Sequence, residues 1–238
     1  MHRIRIFVLL LFTFISCTEL LGVQKNYTHQ ILNKITLRDT LEENQGLYIG
    51  RIWQNLYYLV EEGQFLFSRM FLPGTVTIGG KNFNNVLLKY DIYKDEILTP
   101  LDSGGILQLN KEMVDSFSIF FQDRSYRFIR MKEDSTKAAA RYFNVLYQGK
   151  TSLYLRYSKK IDKTPLQGHD DRFYELVQPY FVKANIIYPI DGKGDLLKIL
   201  NKEKTPIKSF IKKNRLSISG KEPESFIPVI RYYDSISK

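Results

Sequence analysis

A two-residue rhythm constrains this chain more than any other feature. Residues 75–78 alternate threonine with valine and isoleucine, Gly79-Gly80 interrupts, and residues 82–93 carry Val86, Leu88, Tyr90 and Ile92 at every second position. Such alternation sets one face of a strand in a core and the other in water. A Gly-Gly pair between two alternating segments reads as a two-residue hairpin, because glycine tolerates the positive φ angles that such turns demand. The pattern returns in residues 96–98, 106–109, 116–121, 126–131, 142–147, 152–157 and 180–188. Asp102-Ser103-Gly104-Gly105, Gln122-Asp123-Arg124-Ser125 and Gln148-Gly149-Lys150 punctuate it. Connections this short join antiparallel neighbours, since parallel strands need crossovers of a dozen residues or more. The expected fold class is α+β, mostly antiparallel β, with a meander forming a curved sheet or an incomplete barrel.

The rhythm breaks twice. Residues 158–172, with Lys159-Lys160, Pro165 and Gly168, read as a long exposed loop. After Pro189 the period lengthens to about 3.6. Leu196, Leu197, Ile199 and Leu200 form one helical stripe; Thr205-Pro206 supplies an N-cap and a first-turn proline for a second helix carrying Ile207, Phe210 and Ile211 and closing at Asn214. A third helix carries Phe226, Ile227, Ile230 and Tyr233 inward from a start near Pro223, or near Pro228 if the proline is to avoid the helix interior. The organisation expected is a signal peptide at residues 1–22, a polar lead-in at 23–45 with a short helix near His29, an antiparallel β domain at 46–190, and a C-terminal helical cap at 191–238 packed on the sheet.

The N-terminus reads as an export signal. Arg3 and Arg5 precede an apolar run over residues 6–15, followed by the polar Ser16-Cys17-Thr18-Glu19. That run is half the length of about 20 residues that spans a bilayer. Two processing routes remain open: cleavage near Gly22 by ordinary signal peptidase, or lipidation of Cys17, since Phe14-Ile15-Ser16-Cys17 approximates a lipoprotein box.

Composition then excludes several chemistries. Cys17 is the only cysteine, so a fold that begins after the leader has no disulfide, thiolate metal site or cysteine nucleophile. Of three histidines, His2 belongs to the leader, leaving His29 and His169. Neither a nucleophile elbow, a zinc-protease helix nor a phosphate-binding glycine loop is present. No catalytic residue, cofactor or metal ligand is therefore assigned. A mechanism built on carboxylates alone stays open, because Asp and Glu are plentiful.

The net charge is +10, and residues 193–221 hold nine basic side chains against Asp195 and Glu203. The lysines should lie opposite the apolar stripe, with Lys208, Lys212 and Lys213 as the candidate surface for an anionic partner. Anionic lipid, an acidic glycan or an envelope protein is the partner expected of an exported chain; nucleic acid is not.

Several segments together resemble a family of uncharacterised exported proteins of Bacteroidetes-type bacteria: GTVTIGGKNFNNVLLKYD at 74–91, VDSF at 114–117, YFNVLYQG at 142–149, IKSFIKKN at 207–214 and YYD at 232–234. The resemblance covers roughly residues 46–236. It implies an envelope or secreted location and a sheet with C-terminal helices. It brings no activity, cofactor or site residue.

Several local patterns suggest chemistry but also have ordinary structural roles. Asp102-Ser103-Gly104 resembles an aspartic-peptidase signature, but Gly105 follows it and the three residues are common turn formers. His169-Asp170-Asp171 reads as a solvated loop sooner than a metal site. Asp91, Asp95 and Glu96 offer a carboxylate pair, although alternation sets Asp91 on the wet face of its strand. Tyr57-Tyr58, Tyr154 with Tyr157, and Tyr232-Tyr233 are candidates for stacking on sugar rings, against a core-packing role that strands favour. Asp39-Thr40-Leu41, Asp134-Ser135-Thr136 and Asp234-Ser235-Ile236 resemble a short O-glycosylation motif. The expectation overall is an exported, non-catalytic binding or structural component of the bacterial envelope, with a carboxylate-dependent hydrolase of carbohydrate or peptide as the alternative.

Overall fold

The computed structural model describes residues 46–132, 139–163 and 171–237. Eleven strands form one open antiparallel sheet: β1 (Gly50–Ile52), β2 (Leu72–Ile78), β3 (Lys81–Asp91), β4 (Glu96–Pro100), β5 (Ile106–Leu109), β6 (Val114–Phe121), β7 (Arg124–Met131), β8 (Arg141–Gln148), β9 (Ser152–Asp162), β10 (Arg172–Lys183) and β11 (Ile186–Pro189). Their order across the sheet is β1-β5-β4-β3-β2-β6-β7-β8-β9-β10-β11. Helices α1 (Lys193–Ile199), α2 (Lys204–Lys213) and α3 (Ile227–Ile236) follow. The expected fold class is what the structure shows. Among the described residues no helix is long and apolar enough to cross a membrane.

The turns explain the meander. Gly79 and Gly80 have φ of 55° and 79° and close the β2–β3 hairpin between Ile78 and Lys81. Gln122-Asp123 closes β6–β7 in the same way, and Ala184-Asn185 closes β10–β11, each with both central residues at positive φ. Only the first of these pairs is glycine. Two positive φ angles in succession match the right-handed twist of the flanking strands.

The stretch expected as a loop over 158–172 is strand at both of its ends. β9 runs to Asp162 and β10 starts at Arg172, with Lys160 opposite Tyr174 and Lys159 opposite Glu175. Lys159 is no loop lysine, because its ammonium donates to the carbonyls of Gly63 (2.8 Å) and Phe65 (3.1 Å). Pro179 lies just beyond Tyr180 at the end of the β10–β11 pairing, where a missing N–H removes no ladder bond. Pro165, Gly168 and His169-Asp170 lie outside the described residues, as do Cys17, His29, the leader, the lead-in, Asp39-Thr40-Leu41 and Asp134-Ser135-Thr136.

One face of the sheet is filled by aromatic rings. Tyr90, Phe117, Phe128 and Tyr142, from β3, β6, β7 and β8, are each about 1% exposed. Phe117 and Phe128 stack at 4.6 Å, while Tyr90 meets both edge-on at 5.1 and 5.2 Å. Rings of this size remove large apolar areas from water and gain further from such tilted contacts. The Tyr90 hydroxyl donates to Asp95 at 2.5 Å, and the Lys111 ammonium also contacts that carboxylate, so the β3–β4 turn is tied to the β5–β6 connection. Burial, with the Asp95 carboxylate beside it, holds the Tyr90 hydroxyl well above its ordinary range.

The helices cap the other end of the sheet. Leu196, Leu197, Leu200, Ile207, Ile211, Phe226, Ile230 and Tyr233 bury against Leu153, Phe181 and Ile190. Two expectations shift here. The turn Asn201–Glu203 runs straight into α2, so Thr205 is already helical and does not cap it; no side-chain cap bond is made at that end. Pro223–Phe226 forms a 3-10 turn and α3 begins at Ile227, which places Pro228 in the first turn, where its absent N–H is not needed.

Asp234 fastens this cap. Its carboxylate accepts from the Thr151 hydroxyl (2.6 Å), the Thr151 amide (3.2 Å) and the Tyr147 hydroxyl (3.0 Å). Gly149 lies so close that any Cβ would strike Asp234 and Tyr147. The glycosylation-like Asp234-Ser235-Ile236 is thus a structural contact, and the Ser235 hydroxyl donates to the Tyr232 carbonyl. We expect Asp234→Ala to cost about 2–4 kcal/mol in urea unfolding, because it strands buried donors, and Tyr147→Phe to cost only about 1 kcal/mol. Equal losses for the two variants would count against the anchoring role.

Candidate functional site

The first four strands in sheet order present a polar row on the face opposite the aromatic core. Arg51 of β1 pairs with Gln108 of β5, Gln108 with Leu98 of β4, and Glu96 of β4 with Asp91 of β3. Partners directly opposite share a face, and so do residues two apart on one strand. Arg51, Gln108, Glu96, Leu98, Asp91 and Lys89 therefore line up on one surface. Residues 53–66 fold back over it.

Between that row and the returning segment lies a cleft of about 420 Å³, lined by Trp53, Tyr57, Gln64, Asp91, Lys94 and Glu96 among others. A second hollow of about 260 Å³ shares Trp53, Tyr57 and Gln64 and adds Arg69 and Lys89. Trp53 is the only tryptophan in the chain. It packs on Phe65 at 5.9 Å, and Tyr57 meets Tyr93 edge-on at 4.9 Å. Lys94 lies 5.3 Å from the centre of the Tyr57 ring, and Lys89 lies 4.2 Å from that of Phe71, distances at which a ring face attracts a cation. Leu56 lines the larger hollow and Tyr58 the smaller, and each is more than 70% exposed.

The cleft's two carboxylates are both engaged. Asp91 has no exposed surface. One oxygen accepts the backbone amides of Tyr93 (3.0 Å) and Lys94 (2.9 Å), and the other accepts the Gln64 amide at 2.5 Å. Glu96 pairs with Arg51 at 3.2 Å, while the Arg51 Nε donates to Gln108 at 2.7 Å. Asp95 faces the opposite way, toward Tyr90 and Lys111. The expectation that Asp91 lies on a wet face is corrected: the face is the expected one, but Gln64 and Phe65 cover it. Burial is the largest influence on its carboxyl and raises it to about 6, against the lowering effect of its three hydrogen bonds.

The other sequence candidates disperse. Asp102 is exposed in a turn closed by the Gly104 amide on the Leu101 carbonyl (3.0 Å). Tyr154 is buried among Phe143 and Tyr180, Tyr233 belongs to the helical core, and Tyr157 packs against the aromatic cluster. Tyr232 stacks on Phe210 at 4.1 Å. Only Tyr57-Tyr58 borders the cleft. Lys208, Lys212 and Lys213 are exposed on α2, opposite the buried Ile207 and Ile211. Among the described residues no three His, Cys, Asp or Glu side chains gather as a metal site. Sequence reasoning missed Trp53, Gln64 and Gln108; the lone tryptophan beside Tyr57-Tyr58 was the available signal.

No protein-family pattern matches the chain, and neither curated proteins nor solved structures offer a match.

The buried carboxyl has a measurable consequence. Because the folded state binds the Asp91 proton more tightly than the unfolded chain, its contribution to stability is full below about pH 4 and is lost as pH rises to about 6. Moving a carboxyl from its ordinary range to about 6 weakens the fold at neutral pH by about 3 kcal/mol. In Asp91→Asn the side-chain oxygen can still accept the Tyr93 and Lys94 amides, and its NH₂ can donate to Gln64 once that amide turns over. We expect this variant to be at least as stable as the parent at pH 7.5, with its advantage gone at pH 4 in urea titrations. Lower stability at pH 7.5 would mean that the charged carboxylate supports the fold.

Proposed function

We propose that this chain is an exported, non-catalytic binding component of the bacterial envelope, and that the Trp53 cleft is its ligand site. One observation carries the reading: a cleft in which aromatic rings meet hydrogen-bonding side chains while both carboxylates are already bound within the protein. Such convergence of apolar and polar groups is the usual form of a small-molecule site. The basic run before residue 6, the apolar run to Ile15 and the resemblance to exported Bacteroidetes-type proteins support the location, whether periplasmic, outer-membrane-associated or secreted. A carboxylate hydrolase is the weaker reading. It needs a carboxyl group that reaches substrate, and Asp91 is covered and triply hydrogen-bonded.

The basic face of α2 supports a second role, attachment to an anionic surface. Lys208, Lys212 and Lys213 extend into solvent, and long-range attraction would hold such a contact. Replacing all three with Gln is expected to leave the melting temperature within about a degree or two and to lower retention on anionic liposomes at low salt. Equal retention of both proteins across a salt series would reduce the patch to a solubilising one.

The location is tested by intact mass on material from the native host. A chain shortened near Gly22, or one lipidated at Cys17, is expected in the envelope fraction. A full-length species in the cytoplasm would overturn the proposal.

A further inference from the structure

The cleft also carries information about what it holds. We infer that it binds an acidic oligosaccharide, with a sugar ring against Trp53 and Tyr57 and a uronate carboxylate received by Arg51 and Lys94; this rests on the binding role proposed above.

Three observations converge on that chemistry. The two hollows share Trp53, Tyr57 and Gln64 as lining and so lie side by side, which gives a chain of sugars more than one place to rest a ring. Aromatic faces are negative and pyranose C–H faces are apolar and weakly positive, which makes a flat ring their natural partner. Gln54, Gln64 and Gln108 line the larger hollow, and Asn55 the smaller. A carboxamide combines a donor with an acceptor at the spacing of neighbouring hydroxyls.

Charge selects among sugars. Arg51, Lys94, Lys89 and Arg69 surround the two hollows. Against them stand Asp91, which is covered and bonded within the fold, and Glu96, which already faces Arg51. Lys94, Lys89 and Arg69 leave the depression net positive, and the Arg51 side chain, which pairs with Glu96 and Gln108, is still 72% exposed to an incoming carboxylate. Guanidinium groups bind carboxylates through two parallel hydrogen bonds, a geometry that a neutral sugar cannot use. An unsubstituted apolar ligand fits poorly, because so much of the lining is polar or charged.

The sole tryptophan lies in the site and reports on it directly. The experiment is a titration of Trp53 emission with trimers of galacturonate, glucuronate and mannuronate, each beside its methyl ester and a neutral glucose trimer. A saturable change is expected with at least one free acid, about tenfold weaker for its ester, and Arg51→Gln or Lys94→Gln should each weaken binding about tenfold. Unchanged melting temperatures in both variants would place that loss in the site and not in the fold. Equal affinity for acid and ester, or variants that bind like the parent, would overturn the acidic class while leaving a binding cleft in place. Absence of any response to acidic and neutral trimers alike would overturn both the saccharide ligand and the assignment of this cleft as the binding site.

Discussion

The strand-like tie formed by residues 61–66 holds the curved sheet in shape. At one end Glu61 exchanges backbone hydrogen bonds with the start of β10: its amide donates to the Asp171 carbonyl and its carbonyl accepts the Phe173 amide. At the other end Leu66 donates to Tyr90 and Ile92 donates to Gln64, bracketing Asp91. β9 joins the same junction, since the Lys159 amide reaches the Ile92 carbonyl at 3.2 Å and its ammonium reaches the tie itself. Strands far apart in the sheet order are thereby linked through one short segment. An open sheet of this size, whose strands twist relative to one another, curls readily; the tie determines where the curled parts meet.

That junction also accounts for the site. Covering the polar face of β3 and β4 takes Asp91 out of water and leaves its carboxyl dependent on Gln64 and two backbone amides. The same covering segment carries Trp53 and Tyr57 to the lip of the cleft. A buried acid and an exposed aromatic rim are thus two results of one chain reversal. Lys89 and Lys94 hold their ammonium groups over these ring faces, 4.2 Å from the centre of Phe71 and 5.3 Å from that of Tyr57.

The sequence made some of this legible and hid the rest for identifiable reasons. Alternation located β3 and the face of each of its residues, including Tyr90 toward the core, because a period of two follows from strand geometry itself. It could not show that residues 61–66 return across that face, so Asp91 read as wet. Gly79-Gly80 announced its turn; Ala184-Asn185 makes a turn of the same kind without glycine, and residues 180–188 therefore read as one strand. Lys159 and Lys160 suggested a loop because a lysine normally seeks water, whereas two backbone carbonyls receive the charge of Lys159. The helical stripes were clear, yet the start of α2 depended on a preceding 3-10 turn that composition does not mark. The cleft was the least legible part, since Arg51, Gln64, Gln108 and the neighbouring Asp91 and Glu96 come from four separate stretches of chain.

The contact between Asp234 and Thr151 spans 83 residues. Bringing such distant positions together requires much of the intervening chain to be ordered first, and topologies rich in these contacts fold slowly. Until α3 has emerged and docked, Leu153, Phe181 and Ile190 have no apolar cover on the side it occupies. A half-made molecule therefore displays a greasy strand surface for as long as synthesis lasts, which is the condition under which chains stick to one another. The small helical cap thus does for the nascent protein what a chaperone does until that moment: it hides the surface that would otherwise recruit a neighbour.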